Sequence, residues 1–188
     1  MSELIRVTDD IFTIADLLTP QECEEWIDLS ESLGYEPAPI NTASGPERRE
    51  DVRNNARVLL DDQNKADELW QRIAIDVPGV VKDWTPVGLN ERMRLYRYDV
   101  GEKFRWHGDG VHRRDNGQQS FLTLLVYLND DFTGGETAFR GGLRIEPVTG
   151  MALLFCHWLK HMGAEVRQGR KYVLRSDVMF AKTETSSR

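Results

Sequence analysis

Hydrophobic side chains recur at helical spacing in two parts of the N-terminal half of the chain, and at strand spacing beyond residue 88. The first helical pattern follows Thr19-Pro20, where Glu22 completes a capping box, and it ends at Gly34. The second runs from about residue 64 to residue 77 and ends at a Pro-Gly pair. The pattern therefore predicts two helices in the N-terminal half.

The part of the chain beyond residue 88 consists of short segments that alternate apolar and polar residues and are separated by Gly-Gly, Pro and Gly. We expect strands near 89–98, 103–109, 119–128, 136–140, 143–147, 151–156, 161–167 and 171–181. A small strand or hairpin is also expected within residues 4–14. Eight short strands without interleaved helices indicate a mainly β fold, either a barrel or a double-sheet jelly roll, with the two helices against its outside.

A possible metal site lies in the predicted strand that contains His107 and Asp109. Residues i and i+2 of a strand project from the same face, so this imidazole and this carboxylate can converge on one point. A third candidate ligand, His161, begins another predicted strand. Two histidines and one carboxylate on one face of a metal form the facial triad of non-heme Fe(II) oxygenases, which leaves three positions open.

Zinc is the main alternative metal, because catalytic zinc sites also use two histidines and a carboxylate. Such a site needs a nearby general base, and no His-Glu-x-x-His string is present in the chain. A surface polar pair is the other interpretation of a His-x-Asp string on its own.

The strings around these ligands resemble one known family. They are Leu95-Tyr-Arg-Tyr-Asp-Val-Gly101, Phe104-Arg-Trp-His-Gly-Asp109, Gly134-Gly-Glu-Thr-Ala-Phe139, and Gly169-Arg-Lys-Tyr-Val-Leu-Arg-Ser-Asp-Val-Met-Phe180. Over about residues 89–180 the chain resembles the prolyl 4-hydroxylase-like branch of the 2-oxoglutarate and Fe(II)-dependent dioxygenases. The resemblance implies an α+β protein whose double-stranded β-helix (jelly-roll) core, at about 88–182, is supported by two or more N-terminal helices within one domain, 1–188.

The resemblance also implies a reaction. Fe(II) held by His107, Asp109 and His161 would use the co-substrates 2-oxoglutarate and O₂ to hydroxylate an unactivated C–H bond, giving succinate and CO₂, with ascorbate as an auxiliary reductant. The substrate class would be a peptide or protein, as for prolyl hydroxylases, or a small amino-acid-like molecule. The resemblance does not choose among these substrates, since function lies in the site and not in the fold.

Four residues are candidates for binding 2-oxoglutarate. In the family a basic residue on the last strand pairs with the distal carboxylate, and Lys171, ten residues after His161, is at that offset. Arg175 lies on the same predicted strand face and is either the rival anchor or a partner of the anchored groups. By the same resemblance, Tyr98 donates a hydrogen bond to the distal carboxylate and Thr123 lines the pocket, although a lone threonine is also a common strand residue.

The connection between the predicted helices, residues 36–55, is polar and lacks periodicity. A connection this long in one domain is either disordered or functional, and we expect a mobile lid over the open side of the iron. Arg53, Asn55 and Arg57 are the candidate substrate-binding residues, suited to a carboxylate or to peptide carbonyl groups. A solvated charged loop is the alternative.

Three other features have unexceptional interpretations. We expect His112 and His157 to be exposed or hydrogen-bonded histidines that do not bind the metal. The Gly134-Gly135 pair is expected to form a turn with an architectural role. The sequence leaves the oligomeric state open.

The net charge and the cysteine count limit the partners and the cellular compartment that we expect. A formal net charge of -7 without a basic stripe disfavours a nucleic-acid partner. Cys23 and Cys156 fit neither a disulfide framework nor a metal spacing, and no signal peptide or membrane span is evident, so we expect a cytoplasmic protein. The remaining alternatives are a nucleic-acid-demethylase-type oxygenase, a non-enzymatic jelly-roll module and a zinc-binding one.

Overall fold

The computed structural model describes residues 4–42 and 44–183. Two helices lie within these residues, α1 (Pro20–Leu33) and α2 (Gln63–Ile73). Seventeen strands lie in the described part of the chain: β1 (Leu4–Thr8), β2 (Ile11–Ile14), β3 (Glu36–Pro37), β4 (Ile40–Thr42), β5 (Gly45–Glu47), β6 (Ala56–Asp61), β7 (Trp84–Leu89), β8 (Arg92–Tyr98), β9 (Phe104–His107), β10 (Gln119–Tyr127), β11 (Thr133–Gly134), β12 (Thr137–Phe139), β13 (Arg144–Ile145), β14 (Ala152–Cys156), β15 (His161–Gly163), β16 (Val166–Gln168) and β17 (Lys171–Lys182). The mainly β class is confirmed.

Helix α1 begins where the sequence predicts. The Thr19 side chain accepts a hydrogen bond from the Glu22 backbone N–H, and the Glu22 carboxylate accepts one from the Thr19 backbone N–H. Gly34, with φ of 82°, ends the helix in a conformation that favours glycine.

Helix α2 is shorter than the predicted range of residues 64–77. Asp62 caps its first turn by accepting a hydrogen bond from the Lys65 backbone N–H, and the helix ends at Ile73. The chain continues in a turn to Val77, and Pro78 disfavours helical geometry at the residue before it. Neither helix has the length and apolar composition that crossing a membrane requires, over the residues that the structure describes.

The larger sheet contains nine antiparallel strands. Its order is β1-β2-β14-β10-β17-β8-β6-β3, and β7 also pairs with β17. The last strand, β17, therefore lies in the middle of the sheet, between β10 and β8. Because it has neighbours on both sides, its residues are held in a fixed register.

The smaller sheet has the order β13-β12-β15-β9, and β11 pairs separately with β16. An apolar cluster joins side chains from both sheets, among them Tyr127 and Phe155 of the larger sheet and Phe139 of the smaller. A second cluster combines Cys23 of α1 and Leu69 of α2 with residues of the larger sheet. Two sheets with a shared core between them form a double-sheet jelly roll, as expected.

The two clusters follow from the alternation of side chains along the strands. On β17, Val173 belongs to the cluster between the sheets, whereas Leu174 belongs to the cluster with the helices. Lys171 and Arg175 share the face of Val173, because they lie two residues on either side of it. The side chains of Lys171 and Arg175 therefore lie between the two sheets.

Several predicted strand bounds are wrong. The predicted strand 103–109 ends at His107, two residues before Asp109, because Gly108 and Gly110 interrupt the strand. The segment 161–167 is divided into β15 and β16. The connection 36–55, predicted to be either disordered or a mobile lid, contains strands β3, β4 and β5.

Candidate metal centre and cofactor pocket

The three predicted ligands meet at one end of the smaller sheet. His107, the last residue of β9, is the register partner of His161, the first residue of β15. Asp109 follows β9 in the adjoining loop, and its carboxylate oxygens lie 3.9 Å from His107 Nε2 and 3.7 Å from His161 Nε2. One donor atom from each residue lies within 4.8 Å of the others. The sequence placed Asp109 in the strand, whereas the loop carries it to the same point.

Both imidazoles present Nε2 to the shared point because their other ring nitrogen is occupied. Nδ1 of His107 lies 2.7 Å from the Arg105 carbonyl oxygen, and Nδ1 of His161 lies 3.1 Å from the Leu159 carbonyl oxygen. A protonated Nδ1 that donates to a carbonyl leaves the Nε2 lone pair free for a metal. Burial lowers the pKa of His107 to about 3 and also lowers the pKa of His161. The two rings are therefore neutral, as ligation requires.

The Asp109 carboxylate is held by two side chains of the larger sheet. Burial raises its pKa, but the nearby charge of Arg175, together with contacts that include the Thr123 hydrogen bond, outweighs this effect and lowers the pKa to about 2. Arg175 Nη2 lies 3.0 Å from Oδ1, and the Thr123 hydroxyl donates to Oδ2 at 2.5 Å. Thr123, predicted to line the 2-oxoglutarate pocket, does line the cavity beside the ligands and also orients Asp109.

This donor set fits Fe(II). Two neutral imidazole nitrogens and one carboxylate oxygen converge from one side, and the side chains that fix their orientation are in place. A cavity adjoins the ligands on the inner side and a groove adjoins them on the outer side, so further ligands have access to the metal position.

The inner cavity extends between the sheets to Lys171. Its lining is Tyr96, Tyr98, Phe104, His107, Asp109, Thr123, Leu125, Thr137, His161, Gly163, Lys171, Val173 and Arg175. The Lys171 ammonium lies 5.3 Å from the ring centroids of Tyr98 and Tyr127 and donates to the Gly135 carbonyl oxygen. Lys171 is 3% exposed, and burial lowers its pKa to about 7.

Tyr98 is the register partner of Lys171 on the neighbouring strand β8. Burial raises its pKa to about 12, so its hydroxyl keeps its proton and can donate a hydrogen bond. Tyr98 and Lys171 thus provide a donor and a cation at the same end of the cavity, where a distal carboxylate would need them.

The rival candidates Lys171 and Arg175 have different neighbours. Arg175 is engaged with Asp109 and also lies 3.2 Å from Asp177, whereas Lys171 has a backbone carbonyl and two aromatic rings around it. Lys171 is therefore the cation with no carboxylate partner in the described residues that line the cavity. Its role toward 2-oxoglutarate stays a prediction.

The three predicted substrate residues lie at the outer groove, but not as a solvated loop. Arg53 is 5% exposed and Asn55 is 1% exposed. The Arg53 guanidinium stacks on Tyr96 and Phe104, at 4.6 and 4.4 Å from the ring centroids, and its Nε donates to Asn55 Oδ1 at 2.7 Å. Arg53 and Arg57 line the groove, and Asn55 supports Arg53.

The outer groove connects these arginines with the ligands. Its lining is Pro39, Ile40, Val52, Arg53, Arg57, Arg94, Tyr96, Phe104, His107, Gly108, Asp109, Gly110, Val111, His112, Arg175 and Asp177. Arg94 is not among the residues that the sequence motifs predict, although it alternates with Tyr96 and Tyr98 on β8. Thus one strand face contributes to both the cavity and the groove.

The interpretations of His157 and of the glycine pair need correction. His157 is 4% exposed and neither ring nitrogen has a hydrogen-bond partner among the described residues, although Nε2 lies 3.7 Å from Asp177 Oδ1. His112 is half-buried and lines the groove. Gly135 has φ of 71° as a turn glycine, but its carbonyl also contacts Lys171, so its role is not architectural alone.

Comparisons with known proteins indicate one family. The sequence pattern of the 2OG-Fe(II) oxygenase superfamily matches residues 93–176, which include both histidines, the aspartate and Lys171. Over these residues the chain is similar to the 2OG-Fe(II) oxygenase superfamily. Members of this superfamily use Fe(II), 2-oxoglutarate and O₂, and the donor set described above suits them.

The curated relatives support a likeness to the prolyl 4-hydroxylase-like branch of this superfamily. Prolyl 4-hydroxylase 1 of Arabidopsis thaliana is 25% identical and aligns with 90% of this chain and 69% of its own length. Probable prolyl 4-hydroxylase 10 of the same plant is 27% identical over 74% of this chain and 55% of its own. Prolyl 4-hydroxylase 5 of the same plant is 29% identical over 70% of this chain and 46% of its own length. The chain thus spans about half to two thirds of the length of these relatives.

Solved structures show the same fold. The viral collagen prolyl hydroxylase of Paramecium Bursaria Chlorella virus-1, in its 2OG complex, has a TM-score of 0.61 at 21% identity and covers 90% of this chain and 95% of its own. A Pseudomonas putida prolyl-4-hydroxylase has a TM-score of 0.64 at 16% identity, and the match covers 94% of each chain. A Trichoplax adhaerens prolyl hydroxylase in complex with a hypoxia inducible factor peptide has a TM-score of 0.68 at 16% identity, and the match covers 91% of this chain and 84% of that one.

Proposed function

We propose that the protein is a 2-oxoglutarate- and Fe(II)-dependent dioxygenase that hydroxylates an unactivated C–H bond in a peptide, protein or amino-acid-like substrate. One observation carries this proposal. The position shared by His107, Asp109 and His161 opens on one side to a cavity that ends at a buried lysine, and on the other side to a groove lined by arginines. A metal there would meet the co-substrate and the substrate from different directions.

The residues of the chain have distinct tasks in this reaction. Bound at the triad, Fe(II) would supply the chemistry that couples oxidation of 2-oxoglutarate by O₂, to succinate and CO₂, with hydroxylation of the substrate. Lys171 would pair with the distal carboxylate of 2-oxoglutarate, and the Tyr98 hydroxyl would donate to the same group. The apolar and aromatic side chains between the sheets exclude water from this end of the cavity.

Two further residues hold the ligand set in its orientation. Thr123 donates to one oxygen of Asp109 and Arg175 contacts the other, so the carboxylate cannot rotate freely. The neutral state of His107 and His161 keeps their Nε2 lone pairs available at physiological pH.

The substrate class is supported by the relatives. The curated relatives are named prolyl 4-hydroxylases, and the Trichoplax enzyme was solved with a peptide. We therefore propose a peptide or amino-acid-like substrate in the groove, with ascorbate as an auxiliary reductant. The net charge of -7 argues against the nucleic-acid-demethylase alternative.

Anaerobic titration of the protein with Fe(II) and 2-oxoglutarate tests the proposal. We expect a weak visible charge-transfer band of the iron chelate, followed by succinate formation when air is admitted. His161→Ala should abolish the band, and His112→Ala should retain it, because His112 lies in the groove but outside the ligand set. A protein that retained zinc and gave no band with iron would be a zinc-binding jelly roll instead.

A further inference from the structure

The outer groove has an excess of positive charge in a protein that is acidic overall. Four arginines line it, namely Arg53, Arg57, Arg94 and Arg175. The acidic side chains among the described residues that line it are Asp109 and Asp177. Both aspartates are buried and contact Arg175, and Asp177 also contacts Arg94 at 3.2 Å. The charge of the groove is therefore opposite in sign to the net charge of -7.

Arg57 is the least compensated of these arginines. Its guanidinium makes no ion pair or hydrogen bond within the described part of the chain. Burial lowers its pKa, and Arg53 and Arg94 lower it further through like-charge repulsion. Glu36, its register partner on β3, acts in the opposite direction but forms no ion pair with it. The folded protein thus holds a partly desolvated cation beside two others.

Arg53 is a rigid neighbour of this cation. Its stacking on Tyr96 and Phe104 and its hydrogen bond to Asn55 fix the guanidinium plane. One terminal nitrogen, Nη2, is nevertheless buried without a hydrogen-bond partner among the described residues. A buried donor without a partner costs free energy, so its retention at the edge of a reactive site indicates a ligand group that accepts from it.

We propose that the substrate carries a carboxylate and that Arg57 binds it, together with the neighbouring groove arginines Arg53 and Arg94. The proposal rests on the proposed function, because the groove is the open side of the metal position. Guanidinium groups match a carboxylate through paired N–H donors, and a carboxylate would offset the repulsion among the three arginines. The site would accordingly favour acids over amides or esters of the same shape.

A small-anion titration tests this inference without knowledge of the whole substrate. The probe is propionate, and its neutral match is propionamide. Protein labelled with ¹⁵N in the arginine side chains is loaded with Zn(II), which is diamagnetic and leaves nearby signals sharp, and with saturating 2-oxoglutarate, which occupies the inner cavity. We expect the Nε–H signals of Arg57 and Arg53 to shift with propionate and not with propionamide. Arg57→Gln should weaken propionate binding about tenfold or more.

Arg167→Gln is the matched control, because this substitution removes the same charge from a residue that is exposed and lines neither the cavity nor the groove. It should leave the propionate affinity unchanged. Shifts of equal size with propionamide, or an equal loss of affinity in the control, would overturn the proposal. So would tighter binding of dimethyl phosphate than of propionate, which would point to a phosphodiester substrate.

The thermal stability of the metal-free protein provides a second measurement. A cation kept for binding destabilises the empty groove, so Arg57→Gln should leave the melting temperature unchanged or raise it. A clear fall relative to the Arg167→Gln control would show that Arg57 has a structural role and would overturn the inference. The charge-transfer band with Fe(II) and 2-oxoglutarate reports separately on the proposed function, so the two failures are distinguishable.

Discussion

Lys171→Met removes the cation at the inner end of the cavity while it keeps the length of the side chain. A charge-assisted contact to the distal carboxylate of 2-oxoglutarate contributes about 1.5–3 kcal/mol. We therefore expect the affinity for 2-oxoglutarate to fall about 10- to 150-fold, with little change in metal affinity, because Lys171 contacts none of the three ligands. Isothermal titration of the metal-free protein with Mn(II) measures the metal affinity, and titration of the Mn(II)-loaded protein with 2-oxoglutarate measures the co-substrate affinity.

The same substitution should stabilise the protein when 2-oxoglutarate is absent. The pKa of Lys171 falls from 10.5 to about 7 through burial, which corresponds to a cost of about 5 kcal/mol for the charged form. Methionine leaves the Gly135 carbonyl oxygen without its donor, at a cost of about 1–3 kcal/mol. A net gain of about 2–4 kcal/mol in unfolding free energy at pH 6–7 follows from these two numbers.

The pH dependence has a definite sign. Between pH 7 and 10.5 the unfolded protein binds a proton at Lys171 that the folded protein does not, so wild-type stability at this position rises with pH. The advantage of Lys171→Met should therefore disappear toward pH 10. Binding of the dicarboxylate restores the proton, so titrations above pH 7 in buffers of different ionisation enthalpy should show proton uptake in the wild type.

Lys82→Met is the control for these measurements, because Lys82 is exposed and lines none of the described cavities. It should change neither the affinity for 2-oxoglutarate nor the proton uptake. Retention of wild-type 2-oxoglutarate affinity by Lys171→Met would refute the assignment, and loss of that affinity in Arg175→Lys with retained metal binding would transfer the role to Arg175.

Removal of any one metal ligand should abolish Mn(II) binding and leave a folded protein by circular dichroism, in the variants His107→Ala, Asp109→Ala and His161→Ala. Thr123→Val should weaken metal binding about 10- to 100-fold, measured by competition with a chelator, since the hydroxyl orients Asp109; unchanged affinity would contradict that role. Arg175→Lys should reduce metal affinity more than 2-oxoglutarate affinity in paired titrations. Arg53→Ala should speed limited proteolysis within residues 36–55, and an unaltered cleavage rate would show that stacking of Arg53 does not hold this segment.

The local pattern of the sequence was sufficient to select the three candidate ligands that the structure brings together. A strand that carries His107, followed by an acidic residue two positions later, brings two ligands together with few alternatives. The pattern was wrong about how far the strand extends, because it does not show that the glycines on either side of Asp109 end the ladder. The three candidate ligands are nonetheless those predicted, because the loop after β9 brings Asp109 to the end of the strand where His107 lies.

Contacts that depend on the register between distant strands were beyond the sequence pattern. Arg175 reaches Asp109 because β17 lies beside β10, with Arg175 opposite Leu125 and Asp177 opposite Thr123. Nothing in the local alternation of β17 distinguishes Arg175 from Lys171, so both remained candidates. The pairing between strands supplies the distinction.

The segment 36–55 was interpreted as a lid because it is polar and long. Its composition does not show that the Arg53 guanidinium stacks on aromatic rings of β8 and β9, which come more than forty residues later. Burial of an arginine depends on these partners and not on its own neighbours in sequence.

The central place of β17 has a consequence for how the protein becomes active after synthesis. The strand that carries Lys171 and Arg175 is the last of the described strands to leave the ribosome, yet it must enter between β10 and β8, which are made much earlier. Until it does so, those two strands expose their edges, and Asp109 has no Arg175 beside it. Late insertion of a central strand makes the fold rich in contacts between distant parts of the chain, and such folds form slowly. Iron supplied before β17 emerges would meet two histidines and an unsupported carboxylate, so assembly of the metal centre should follow insertion of β17 between β10 and β8.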